Sequence, residues 1–165
     1  MKAFLKSIAA AALLLALAAA AFLFTPLGEA PLSAVFPVGK LETLDFGDLK
    51  LTEKPNQFLV CPPGLCRGQA ESAPFERSAD DLKGLWHDLV MSKARVVLLR
   101  ESGDQLDYVQ RSAHFRFPDI ITVRFIPISQ SQSTFAIYSR SLYGHSDLGV
   151  NRQRIETWLA ELQAQ

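Results

Sequence analysis

The residues best suited to chemistry crowd into one stretch, Ser139-Arg-Ser-Leu-Tyr-Gly-His-Ser-Asp-Leu-Gly-Val-Asn-Arg-Gln-Arg154. Arg140 and Arg152 carry planar guanidinium forks that suit a carboxylate or a phosphate. Ser141, Ser146 and Asn151 supply neutral donors, and Gly144 and Gly149 permit a tight backbone. A helix beginning near Asn151 would add its free N–H groups, so the seven residues form a candidate anion site. The stretch is not a P-loop, because Val150-Asn151 follow Gly149 where lysine and serine or threonine are required. It also has a structural use. Asp147 or Asn151 can cap the helix, and Asp119 and Asp147 are ready ion-pair partners for Arg140, Arg152 or Arg154.

A catalytic alternative uses Ser141 or Ser146 with His145 as a small cofactor-free hydrolase or transferase. Proximity in sequence is not triad geometry, however, and His114 has serine and aspartate neighbours too. There is no H-E-x-x-H, no G-x-S-x-G and no dinucleotide glycine fingerprint. The expectation is therefore no assigned catalytic residue and no cofactor. Cys61-Pro-Pro-Gly-Leu-Cys66 is a four-residue spacing across a tight turn, which suits a short-loop disulfide. Two free thiols or a redox pair are the alternatives, although redox pairs usually have a two-residue spacer. Two cysteines do not complete a four-cysteine zinc site, and no metal is expected.

These residues need elements to position them. Ser78 followed by Asp80 and Asp81 opens a helix, whose apolar stripe is Leu82, Leu85, Trp86, Leu89 and Val90. His87 lies off that stripe and is expected to be exposed. From Arg95 the period shortens to two, with strands over 96–100, 106–117, 120–128 and 134–142 joined by short turns. Such spacing implies an antiparallel meander. The second strand is long and is expected to carry a bulge near Ser112 before Pro118-Asp119 breaks it. A last helix over 151–162 has its stripe at Ile155, Trp158, Leu159 and Leu162. The fold class is α+β, a four-stranded antiparallel meander packed with two helices and preceded by an N-terminal hydrophobic helix. By parity, Phe115, Phe117, Ile121, Val123, Phe125, Phe135 and Ile137 should face the helices. Gln110, Ser112, His114, Arg116, Thr122, Arg124, Tyr138 and Arg140 should line the other face.

The chain has 165 residues and a formal net charge of zero, with 17 basic and 17 acidic side chains. That length fits one domain plus a tail. The neutrality is a cancellation. Residues 25–94 hold 7 bases against 10 acids, and residues 95–154 hold 8 bases against 5 acids, all eight being arginine. Lys2 and Lys6 precede 17 residues, Ile8 to Phe24, without a polar side chain. This is the charged and apolar layout of an export signal. At ~1.5 Å per residue the run gives about 26 Å, short of a ~30 Å hydrocarbon core, and extension to Ala3 and Leu27 makes a span feasible. Cleavage after Ala30 or Ala34 is disfavoured by Pro31 and Leu32. Residues 1–27 therefore read as a signal anchor or signal peptide and 28–55 as an extended arm interrupted by prolines and glycines. Residues 56–165 read as the domain. The expected location is the bacterial inner membrane facing the periplasm, or the periplasm if the segment is cleaved. Nucleic acid is not an expected partner.

Three motifs carry a resemblance: Tyr108-Val-Gln110-Arg-Ser112, Arg116-Phe-Pro-Asp119, and Ser139-Arg-Ser-x-x-Gly144-x-Ser-Asp-x-Gly-x-Asn151-Arg152-x-Arg154-Ile. Over roughly residues 55 to 163 the chain resembles the bacterial and plastid family called domain of unknown function 1499. The resemblance implies that Asp119, Arg140, Ser141, Gly144, Asp147, Gly149, Asn151 and Arg152 belong to a family signature, and it implies no reaction. The resulting expectation is a non-enzymatic envelope module. It would meet the membrane through its N-terminal segment, and an envelope protein partner, anionic small molecule or lipid head group through the arginine-lined loop.

Overall fold

A computed structural model describes residues 2–24 and 29–165. Contacts divide the chain into two units, Met1–Pro37 with Ser112–Arg116, and Val38–Arg111 with Phe117–Gln165. The first holds α1 (Lys2–Phe24) and α2 (Glu29–Val35). Apolar side chains along α1 stand exposed, among them Phe4, Leu13, Leu14 and Leu15. Among the described residues, no helix is long and apolar enough to cross a membrane. The Pro26 and Leu27 that a longer span would use, and Gly28 of the first cleavage site, lie outside the described residues. Part of the expected extended arm is helical: α2 carries Pro31 in its first turn, where a missing N–H costs nothing.

The second unit is a six-stranded mixed sheet rather than a four-stranded meander. Its strands are β1 (Gln57–Cys61), β2 (Ala70–Glu71), β3 (Val96–Ser102), β4 (Gln105–Arg111), β5 (Pro118–Pro127) and β6 (Ser133–Ser141). The order is β2-β1-β6-β5-β4-β3. β3 to β6 form the expected antiparallel meander. β1 adds antiparallel to β6, and β2 pairs parallel with β1. Pro118 begins β5 instead of breaking it, and 112–117 is a connection between strands. The register irregularity falls in β3, between Leu98 and Arg100, not near Ser112.

One face of the sheet packs against α3 (Ala79–Met91) and α4 (Val150–Gln163). Ser78 caps α3 by accepting from the Asp81 N–H. Leu82, Trp86, Leu89 and Val90 of α3 and Ile155, Trp158 and Leu162 of α4 meet Ile121, Val123, Phe125, Phe135 and Ile137 in one core. Trp86 and Trp158 meet edge-on at 6.0 Å between ring centroids. Phe115 and Phe117 do not join it: both are exposed. Gln110 lies on the helix side, where it meets Arg154 of α4, and not on the opposite face.

The other face is covered as well. Phe46, fully buried, leads Leu44, Leu49 and Leu51 of the segment 38–55 onto Leu59, Cys61, Ala136 and Tyr138. Asp107 of β4, 2% exposed, accepts from Arg100 and from Thr122. Arg100 in turn donates to Thr43 Oγ1 and to the Glu42 carbonyl, which clamps the segment in place. Tyr138 donates to Gln57, whose amide donates to the Thr52 and Lys54 carbonyls. The expected polar sheet face is thus an interior layer.

Truncating Phe46 to Ala should cost about 3–5 kcal/mol, the usual range for a buried aromatic, measured by urea unfolding at constant m-value. Burial pushes the phenols of Tyr108 and Tyr138 above the ordinary tyrosine value. Their contribution to stability is fully present below about pH 10 and is lost as pH rises through the raised folded values. Absorbance titration should show both rings ionising at a higher pH than free tyrosine.

Candidate functional site

The loop from Leu142 to Gly149 joins β6 to α4, and the chemistry-bearing side chains at its base bond mostly to one another. Ser139 and Ser141 alternate with Arg140 along β6, so the serines face α4 while Arg140 faces the opposite layer. Ser141 donates to Asp119 Oδ1 at 2.6 Å. Asn151, fully buried, donates through Nδ2 to Asp147 Oδ2 at 2.7 Å, to Ser141 Oγ at 3.1 Å and to the Asn56 carbonyl at 3.2 Å. Its Oδ1 accepts from Ser139 and from Arg154. Arg154 is 7% exposed and pairs with Asp119 Oδ2 at 2.5 Å. The same guanidinium donates to Gln110, Ser139 and Asn151.

The helix start is also closed. Gly149 is the N-cap residue, in a left-handed conformation without a side-chain cap. Asp147 supplies the cap from two residues upstream, its carboxylate accepting from the Gly149 and Asn151 N–H groups. The donors that an anion would use at a helix N-terminus therefore hold a carboxylate of the chain itself. Gly144 gives its carbonyl to Asn56 Nδ2, and Ser146 accepts from the Leu148 N–H.

The structure does not bring the two candidate arginines together. Arg140 lies over the Tyr138 ring at 4.8 Å and donates to Thr122. Burial lowers its pKa, with Tyr138 and Asp107 opposing the shift. Arg152, its side chain 54% exposed, lies over the Phe58 ring at 4.7 Å and pairs with Glu156 at 3.5 Å. Asp119 takes Arg154 as its partner, and among the described ion pairs none joins Asp147 to an arginine. His145 is exposed and has no hydrogen bond to Ser141 or Ser146, so the loop shows no nucleophile–base pair. A hollow of about 270 Å³ borders the network beside Gln110, Val150 and Arg154, but the Arg154 guanidinium that reaches it is already bonded on all three nitrogens.

Cys61 and Cys66 are disulfide-bonded. Among the described residues no cluster of three or more metal-ligating side chains occurs. His87, expected to be exposed, is half-buried and meets the Tyr108 hydroxyl at 3.1 Å. Lys83 and Glu101 pair beside it at 2.5 Å. The hydrogen bond from Lys83, then its charge, holds the Glu101 carboxyl below its ordinary value. Sequence reasoning missed Asn56 and Gln110 as members of the network and Asp107 as the anchor of the second face. Each is recognisable only once strand register is known.

Breaking the pair with Arg154→Met should cost about 3–5 kcal/mol, because Asp119 is left buried without its cation. Arg152→Ala should cost under about 1 kcal/mol, as expected for an exposed pair. Chemical denaturation of both variants measures the difference. Reducing the six-residue Cys61–Cys66 loop should cost about 2 kcal/mol by loop entropy, read the same way with and without reductant.

A comparison with curated proteins finds no match. Among solved structures, the chain is similar to the Zhui aromatase/cyclase from Streptomcyes sp. R1128 at 8% identity, covering 56% of this chain and 84% of that one with a TM-score of 0.29. A score that low carries nothing from that protein to this one. The family model described as protein of unknown function (DUF1499) matches residues 50–162, which span the six-stranded sheet, α3, nearly all of α4 and the whole hydrogen-bonded network; the chain belongs to that family.

Proposed function

We propose that the protein is a non-enzymatic, membrane-associated envelope module whose 142–152 loop meets an anionic lipid surface. One observation carries the reading. Asp147 and Asn151 turn inward to the network, while Leu148 is 94% exposed and sits at φ 56°. Leu142, Tyr143 and Val150 are also partly exposed. Arg152 stands close by in sequence, with its charge at the surface. Aliphatic and aromatic side chains beside a cation suit the boundary between head groups and acyl chains. The anionic ligand of this reading is a head group met at the surface, through Arg152 rather than Arg140.

The N-terminal segment supports membrane association independently. Two lysines followed by a polar-free run form an export layout, and a disulfide fits an oxidising compartment. Export to the inner membrane or periplasm follows, with the segment as signal or as attachment. A mass spectrum of the chain recovered from a producing bacterium tests this. A start at residue 31 or 35 means cleavage, and an intact start in the membrane fraction means attachment. An intact chain in the soluble cytoplasmic fraction overturns export.

For the loop, an environment-sensitive fluorophore on Leu148→Cys reports depth without interference from Cys61 and Cys66, which are bonded to each other. The emission should shift to the blue on vesicles containing phosphatidylglycerol, and less on neutral phosphatidylcholine. Arg152→Glu should weaken the difference. A label that stays in water on both vesicle types refutes the loop's role even if the chain remains bound through residues 1–27.

A further inference from the structure

At the end of β6 opposite this loop lies a hollow of about 640 Å³. Its volume is that of a small-molecule site. Pro62 and Pro63 of the disulfide-closed turn form one wall, Pro74 part of another, and Ile126 and Ile128 contribute side chains to the lining. The Cys61–Cys66 bond closes the first wall into a short loop, so little ordering is needed when a ligand enters.

The chemistry of the lining selects the occupant. Prolines have no N–H to offer. The hydroxyls present, Ser72 and Thr134, are spent on the Phe135 and Ala73 carbonyls and on each other. The Ser72 and Leu65 N–H groups are spent on the Cys61 and Pro62 carbonyls. A peptide laid here would bury amides with few partners, at a cost of about 1–3 kcal/mol each. A hydrocarbon or aryl body loses nothing. Glu71 is the charged residue of the lining; it is exposed and has no ion-pair partner among the described residues. A carboxylate at the mouth of an apolar hollow favours a cationic head and opposes an anionic one.

The geometry points to a binding site for a small amphiphilic cation, an apolar body bearing one ammonium group that sits beside Glu71. This site is separate from the 142–152 loop. Thr134 and Ser141 are seven residue steps apart along β6, about 23 Å of strand, so the two readings fail independently.

Displacement of the neutral fluorophore N-phenyl-1-naphthylamine from the full chain tests it, with dodecylamine, dodecanol and dodecanoate as competitors below their aggregation concentrations. Dodecylamine should compete about fivefold or more better than dodecanoate, as one exposed charge contact permits. Glu71→Gln should remove that preference while dodecanol is unaffected. Ile128→Asp, at a half-exposed position, should abolish specific displacement while the circular dichroism spectrum is unchanged. Probe binding on the exposed face of α1 would be indifferent to both substitutions, and that result overturns the site. Equal competition by amine and carboxylate overturns the role of Glu71 and with it the ligand class.

Discussion

A guanidinium with 7% of its side chain exposed must be neutralised and must have its donors answered, or it will not stay inside. Arg154 meets both demands through Asp119, Gln110, Ser139 and Asn151. Those partners come from β5, β4, β6 and α4, so satisfying one side chain fixes the last helix against three strands. Asn151 then extends the constraint to Asp147 in the loop and to the Asn56 carbonyl ahead of β1. The end of the sheet, the helix start and the loop between them depend on that one buried charge. The same arrangement explains why an anion site does not assemble there: the donors that would bind an anion already bind the chain's own oxygens.

The strands of the meander and the two helices of the second unit were legible because in sequence one face of each is apolar while the other carries polar side chains. Ile155, Trp158 and Leu162 at helical spacing found the core as expected. β1 was not legible, since all five of its residues are buried. Its Phe58 and Val60 face the helices while Leu59 and Cys61 face the covering segment, so no alternation marks it as a strand. Gln110 was placed on the wrong face for a different reason. Tyr108 pairs with Ile121 and Gln110 with Asp119, so the helix-facing parity changes from even numbers in β4 to odd numbers in β5. The loop at 112–117 absorbs that change, and a reading that ran one strand through to Phe117 could not see it.

The site was legible as a list of residues and illegible as an arrangement. Asp119 and Ser141 are register partners on adjacent strands, which is what lets them bond. Arg140, between Ser139 and Ser141, must point the other way. Sequence order placed Arg140 inside the motif, whereas strand geometry placed it in the opposite layer with Thr122 and Tyr138. The second layer was hidden for a related reason. Thr122, Tyr138 and Arg140 look like a polar surface until the segment bearing Phe46 is known to cover that face, with Asp107 and Arg100 forming the ionic clamp beneath it.

The loop's glycines show how structural need can mimic ligand binding. Gly144 and Gly149 have φ of 86° and 83°, a region that other residues enter at a cost of roughly 1–2 kcal/mol. Both are required to turn the chain from β6 into α4, whether or not anything binds, so their presence is no evidence for an anion. Leu148 argues in the other direction. It occupies the same left-handed region at φ 56°, where glycine or asparagine would relieve the steric cost. Its side chain recovers nothing by burial, being almost wholly in water. A position that is both strained and apolar gains nothing within the folded chain. On the lipid-surface reading proposed above, the compensating contact is with the acyl boundary, and the hydrogen bonds of Asp147 and Asn151 tie the base of the loop that would present that side chain.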